Sequence, residues 1–473
     1  MKNTILSLLI LCPVLSFSQF VFFETLDETA VTVEKSDRAI FPSSYQTVSI
    51  DKKQFDDFIK ATPRKNQGQP SVIALPVPDG SYQQFEVYEA PILAPHVAEQ
   101  FPDHRDFAGW GLDNPLAYLR LWWTSLGFHA MVIRGGATVY IYTYNMNTRD
   151  FYISYTKKAY ADSYFQEYEH YQCYYENPKG NTIDPDYPEN AAQLKASGDQ
   201  LRTYRLAVAA TEDYTTAIGS QSAAFSALQT TVSRVTGIFE IDFAISFTLV
   251  STSSEVYTTN GVPYGAEGSG SLSTLLSENQ TNLDNVIGNS NYDIGHVFDS
   301  SGGSSGAGLA TLTSVCNTSN KARGASRGFA NPTGDSFDVD LVAHEIGHQF
   351  GANHTFNSVT SSCSGNRNAS TAYEPGSGTT IMSYTSCGAD NIQSFNDDYF
   401  HVASYEEIMA YITGAGVSSC PTITATGNNV PVPNANPGGG SYTIPISTPF
   451  ELEGSATDAD GDNLTYCWEE YDL

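Results

Sequence analysis

The spacing of apolar residues changes period along the chain, and the changes mark its parts. From Gln19 to about Gly198 the pattern is β-like. Val139, Ile141 and Thr143 alternate with Tyr140, Tyr142 and Tyr144, a polar turn follows at 145–150, and Phe151, Ile153 and Tyr155 continue the pattern. This predicts a hairpin within a sheet. Further on, Tyr204 to Ala210 is an apolar run suited to a buried strand, and Phe225, Leu228, Val232, Val235 and Phe239 recur at helical intervals. Phe243, Ile245, Phe247 and Leu249 return to the two-residue period, so strand, helix and strand predict a crossover in a mixed sheet. Tyr292 to Phe298 reads as another strand. The segment 299–308 reads as a Gly/Ser-rich loop without an assigned function, and Ser404 to Ile412 as a closing amphipathic helix. Turn-forming residues at 331–336 precede one more helix, whose apolar face carries Val342, Ile346 and Phe350.

The other face of that helix carries the chemistry. His344 and His348 are four apart, one helical turn, so their imidazoles converge on one point, and Glu345 sits beside the first. A continuing helix would carry His354 away from that point. Gly351 permits the left-handed residue that ends a helix, and the turn returns His354 to the pair. Three neutral imidazoles form a zinc site with one open position, the arrangement of catalytic sites, in which bound water has a pKa of about 7. Glu345 is then placed to take that water's proton. The competing reading is a buried helix with satisfied histidines, and the length of the motif weighs against it.

Followed by Thr380-Ile381-Met382-Ser383-Tyr384, this motif resembles the metzincin clan of zinc endopeptidases, and within it the secreted bacterial adamalysin-like (reprolysin-like) peptidases. The resemblance covers roughly 204 to 420 and is most specific over 337–384. It implies an α+β (mixed α/β) catalytic domain with a twisted mixed sheet, and protein or peptide substrates. It also places Met382 as an apolar floor beneath the metal and Tyr384 as a hydrogen-bond donor to the oxyanion. It puts the strand at 292–298 near the cleft edge, where a substrate can add as a strand. The family usually has Asp directly after the third histidine, whereas this chain has Thr355. The resemblance further implies a Cys316–Cys420 disulfide, with Cys363–Cys387 as the companion pair. His296 is expected to be structural and His401 non-catalytic.

The N-terminal β-rich segment, 19–198, offers no clustered ligands, and lying before a protease it reads as a propeptide acting as an intramolecular inhibitor. Cys173 is its one cysteine. A thiolate delivered to the open position would keep the enzyme latent, the cysteine-switch idea. Cys173 matches by position and not by motif, since its context is His170-Tyr171-Gln172-Cys173-Tyr174-Tyr175. A buried or disulfide-bonded cysteine is the alternative.

With 473 residues the chain has room for about three domains. A net charge of −29 opposes binding to nucleic acid. Residues 1–18 have the form of a secretory signal peptide, and no later run reaches membrane-spanning length, so a secreted protein is expected. The expected partition is then propeptide 19–198, catalytic domain 199–421 closing at Cys420, linker 422–441, and the start of a β-sandwich at 442–473. Asp458, Asp460 and Asp462 lack the glutamate of an EF-hand, so calcium has no support beyond their alternation and a hairpin turn is the preferred reading. Two rival functions stand beside the peptidase: an exported adhesion or binding protein with an inactive or covered metallopeptidase-like domain, and a zinc amidase. Lys195 and Arg202 are candidate activation cuts.

Overall fold

The computed structural model describes residues 19–34, 38, 40–135, 137–145, 147–164, 171–176, 197–259, 261, 263–265, 271–300, 306–328, 332–414, 416–435 and 443–473. The expected signal peptide at 1–18 and the candidate cut at Lys195 lie outside them.

Among the described residues, two large sheets organise the chain. The first holds ten strands between Gln19 and Thr156, most of them an antiparallel meander, and includes the expected hairpin, in which Ala137–Thr143 pairs with Phe151–Thr156. Burial alternates along Tyr82–Glu89, as a sheet with one covered face requires. One face packs Phe85, Phe107 and Phe128 around Phe55 and Phe58 of the helix Lys52–Ala61, whose first turn is capped by Asp51. The other face, with Trp122, Met131, Tyr140 and Tyr142, shares a core with the second sheet.

The helix Gln221–Phe243 lies between the two sheets. It is buried on nearly every side: Phe225, Leu228, Val232, Val235 and Phe239 are buried, and so are the polar Gln229, Thr230, Ser233 and Arg234. The polar residues find their partners across the interface or on the helical stretch before His344. Thr230 accepts from the Trp122 indole at 2.9 Å, Gln229 and Ser233 donate to Asp106, and Arg234 pairs with Asp338 at 2.7 Å. Each of these buried side chains thereby has a polar partner, which lets an apolar helix carry a second, hydrogen-bonded face.

The second sheet is mixed. Its order runs Tyr171–Glu176, Gly306–Thr311, Gly324–Gly328, Ile294–Ser300, Gln200–Ala210, Ile245–Leu249. The expected unit is present, with Gln200–Ala210 and Ile245–Leu249 parallel on either side of the helix in sequence. Two expectations change. Ile294–Ser300 is not the edge strand: it sits inside the sheet between Gly324–Gly328 and Gln200–Ala210, because a hairpin from 306 to 328 adds outside it. Residues 306–311, which overlap the expected loop at 299–308, form the strand next to the edge; residues 301–305 lie outside the described residues. The outermost strand, Tyr171–Glu176, comes from the N-terminal segment and pairs parallel to Gly306–Thr311.

The chain also does not leave the domain at Cys420. Thr422–Ala425 pairs antiparallel with the start of Gln200–Ala210, so part of the expected linker is strand. Beyond it, the described residues of the expected sandwich show one short strand, Ser455–Thr457, paired with Val432–Asn434 from the linker. Both expected disulfides, Cys316–Cys420 and Cys363–Cys387, are formed. No helix among the described residues is long and apolar enough to cross a membrane.

Candidate active site

The active helix begins at Asp335 and runs through a wider π-type stretch, Asp338–Ala343, into His344–Gln349. It ends where predicted: Gly351 has φ of 108°, a left-handed value that a residue with a Cβ adopts only under strain, and the chain turns back there. That turn brings His354 to His348, with their Nε2 atoms 3.1 Å apart.

The orientation of all three rings is set from behind. His344 Nδ1 bonds the carbonyl of Ile381 at 2.6 Å, His348 Nδ1 that of Ala352 at 2.7 Å, and His354 Nδ1 that of Asn366 at 2.7 Å. A carbonyl only accepts, so each Nδ1 carries the hydrogen and each Nε2 presents a lone pair. Burial favours the neutral ring, pushing His344 down to about 4 and holding His348 and His354 well below their usual range. Facing lone pairs at 3.1 Å repel unless a cation lies between them. Three neutral imidazoles with backbone-fixed tautomers therefore fit a divalent metal ion.

The fourth group is Cys173. Its Sγ lies 3.4 Å from His348 Nε2, and the thiol and the three imidazoles offer ligand atoms within 4.8 Å of one another, all buried. Its strand register sets Cys173 opposite Gly308. Gly308 is required by the carboxyl below it: a Cβ there would fall 1.8 Å from Glu345 Oε1. Glu345 is fully buried, and burial raises its carboxyl well above the usual range while the Cys173 thiol pulls it the other way. Tyr384 donates its hydroxyl to the Cys173 carbonyl at 2.6 Å, and its ring lies 4.8 Å from that of His354. Met382 is buried beneath the helix, where a Cβ on Gly347 would meet its sulfur at 2.7 Å. The residues singled out in the sequence therefore lie together.

Residues 200–407 match the model of the reprolysin-like metallopeptidases, family M12B. Over this stretch the chain is similar to the reprolysin-like metallopeptidases. Among solved structures, the chain is similar to metalloproteinase-II from Bacteroides fragilis, at 12% identity and a TM-score of 0.41, over 76% of this chain and 95% of that one. No curated protein matches it.

Within the matched stretch, two carboxylates escaped the sequence reading. Glu374 accepts from the backbone N–H groups of Thr379 and Thr380, at 2.8 and 3.0 Å, from the Thr380 hydroxyl at 2.7 Å, and from the Thr355 hydroxyl. Thr355 follows the third histidine, where the family usually has Asp, so here a hydroxyl and a distant glutamate together tie that position to the turn carrying Met382. Glu407, on the helix Val402–Thr413, accepts from the Asn353 N–H at 2.7 Å and from its side-chain amide, holding the residue before His354; burial pushes its carboxyl up to about 7. Neither matches a motif that sequence reading would single out: Glu374 is joined to its partners by an irregular turn, and Asn353 lies 54 residues before Glu407.

The non-ligand histidines also have places. His296 is buried in the sheet between Gln349 and Ser326, at 2.9 Å from each, and His401 caps the helix Val402–Thr413. Asp458 accepts from the N–H groups of Asp460 and Asp462 in an exposed turn.

Proposed function

We propose that the chain is a secreted zinc endopeptidase made as a latent precursor. The observation that carries this is the convergence of three tautomer-fixed imidazoles beside a buried glutamate, with a tyrosine hydroxyl aimed into the same space. His344, His348 and His354 would hold the zinc. When bound, that ion supplies Lewis acidity, polarising the scissile carbonyl and acidifying water.

The remaining roles belong to side chains. Glu345 accepts a proton from the attacking water on a carboxyl oxygen and returns it to the leaving amine. Tyr384 donates its hydroxyl to the substrate carbonyl oxygen as negative charge builds there; in this structure the Cys173 carbonyl receives that bond. Met382 closes the floor and excludes water. An extended substrate would lie along Gly306–Thr311, the place held here by Tyr171–Glu176.

The same contacts support latency. A single residue, Cys173, brings its sulfur to the imidazoles and its carbonyl to Tyr384, so the strand 171–176 competes with substrate for the metal position and for the hydroxyl at once. Export is supported by the signal-like residues 1–18 and by two disulfides, which persist in oxidising compartments. The rival reading of an exported binding protein with a decayed domain has to account for an intact Glu345 and a full ligand set. The test is casein cleavage by the activated chain. Cleavage should stop with a zinc chelator, and Glu345→Ala should retain one zinc per chain while losing nearly all turnover. Cleavage that survives Glu345→Ala would overturn the role of that carboxylate.

A further inference from the structure

The strand that lies across the site ends on Glu176, opposite Thr311. Its carboxylate accepts from Arg323 Nη2 at 2.5 Å and from the Ser273 hydroxyl at 3.1 Å. Arg323 is held from its other side as well: Nε donates to Thr311 Oγ1 at 3.1 Å and Nη1 to Ser277 Oγ at 2.9 Å. Thr311 belongs to the strand Gly306–Thr311 and Ser277 to the helix Leu272–Leu283, and both remain when Tyr171–Glu176 departs. The guanidinium is thus oriented by two neutral hydroxyls, and Nη2 is left for the group that takes the place of Glu176. A planar fork fixed in this way is preorganised for a carboxylate. In a chain with a net charge of −29, it is also a local exception to a field that repels acidic peptides.

We propose that Arg323 is a specificity-determining residue, which takes an aspartate or glutamate side chain of the bound substrate at the position opposite Thr311, three residues from the one lying over the metal. Glu176 occupies that subsite in the latent form. This rests on the peptidase reading above, with substrate along Gly306–Thr311.

The experiment uses the full chain, zinc-loaded, carrying Cys173→Ala and nicked at a protease site introduced within 177–196. Peptides place Glu, Gln or Lys in turn at each position within four residues of the scissile bond. The Glu peptide should exceed the Gln peptide roughly tenfold in kcat/KM at one position, on one side of the bond. Added salt should shrink that ratio. Arg323→Gln should bring the ratio close to one, and Arg323→Glu should shift the preference to Lys. A ratio near one in the chain with Arg323 intact, or one unchanged by Arg323→Gln, overturns the proposal. The same ratio is read as Kd on the Glu345→Ala chain. Failure to cleave any peptide therefore counts against the peptidase reading alone, while the affinity ratio still decides the role of Arg323.

Discussion

Replacing Lys157 with methionine should cost the protein more stability than any single loss of an exposed charge. Its ammonium lies 2.8 Å from Asp335, 3.1 Å from Asp340 and 2.5 Å from Asp398, with the lysine side chain only 4% exposed. Asp335 and Asp340 belong to the active helix and Asp398 to the segment after Met382, so this one cation ties the N-terminal region to the catalytic machinery. Methionine keeps the apolar stem and removes the charge. The buried Asp335 and Asp398 and the part-buried Asp340 then lose their counter-ion, and breaking a buried pair of this kind costs about 3–5 kcal/mol. The loss depends on pH. Burial already pushes Asp340 from 3.8 up to about 8, so its protonated form is favoured in the folded state; the stability from that shift is full below pH 4 and fades as pH rises toward 8. Lys157→Met should therefore be hurt more at pH 8 than at pH 5. Urea unfolding followed by tryptophan fluorescence at both pH values measures this, and Asp340→Asn added to Lys157→Met should recover part of the loss. A loss below about 1 kcal/mol at pH 8, in the range of a surface ion pair, would refute the reasoning.

Other predictions concern the site itself. Cys173→Ala in the full chain should raise basal proteolysis, read against casein before any processing; unchanged latency would mean that the sulfur contributes nothing to inhibition. Tyr384→Phe should lower kcat by about a hundredfold with a smaller change in KM, since its hydroxyl acts on charge that develops in the transition state; an equal kcat would remove it from the mechanism. Glu374→Gln should weaken zinc retention by about tenfold in a competition with a chromogenic chelator, because it loosens both Thr355 and the Met382 turn; retention equal to that of the unaltered chain would make Glu374 a local brace only.

The histidine helix was legible because its information is local. A four-residue spacing aims His344 and His348 together, and a glycine two residues after the helix announces the turn to His354. The helix Gln221–Phe243 was legible through its apolar stripe, but its buried polar flank was not, since only contact with a second sheet makes burial of Gln229 or Arg234 tolerable. The strand at 306–311 was hidden because Gly and Ser promote loops when judged alone. Pairing on both sides makes these residues a strand, and the nearness of Glu345 makes Gly308 necessary. The position of Cys173 depends on a pairing across more than a hundred residues, so a sequence argument could reach it only as one of two alternatives. The same distance hid Lys157 and Arg323: each has an ordinary local context, and its role arises from partners brought close by the fold.

The most direct test is X-ray absorption at the zinc edge on the unprocessed chain. The account predicts three nitrogen ligands at about 2.0–2.1 Å and one sulfur at about 2.3 Å, with the sulfur lost in Cys173→Ala and the nitrogens retained. A zinc shell without sulfur in the unprocessed chain, or zinc that stays bound after His354→Ala with its coordination unchanged, would contradict it.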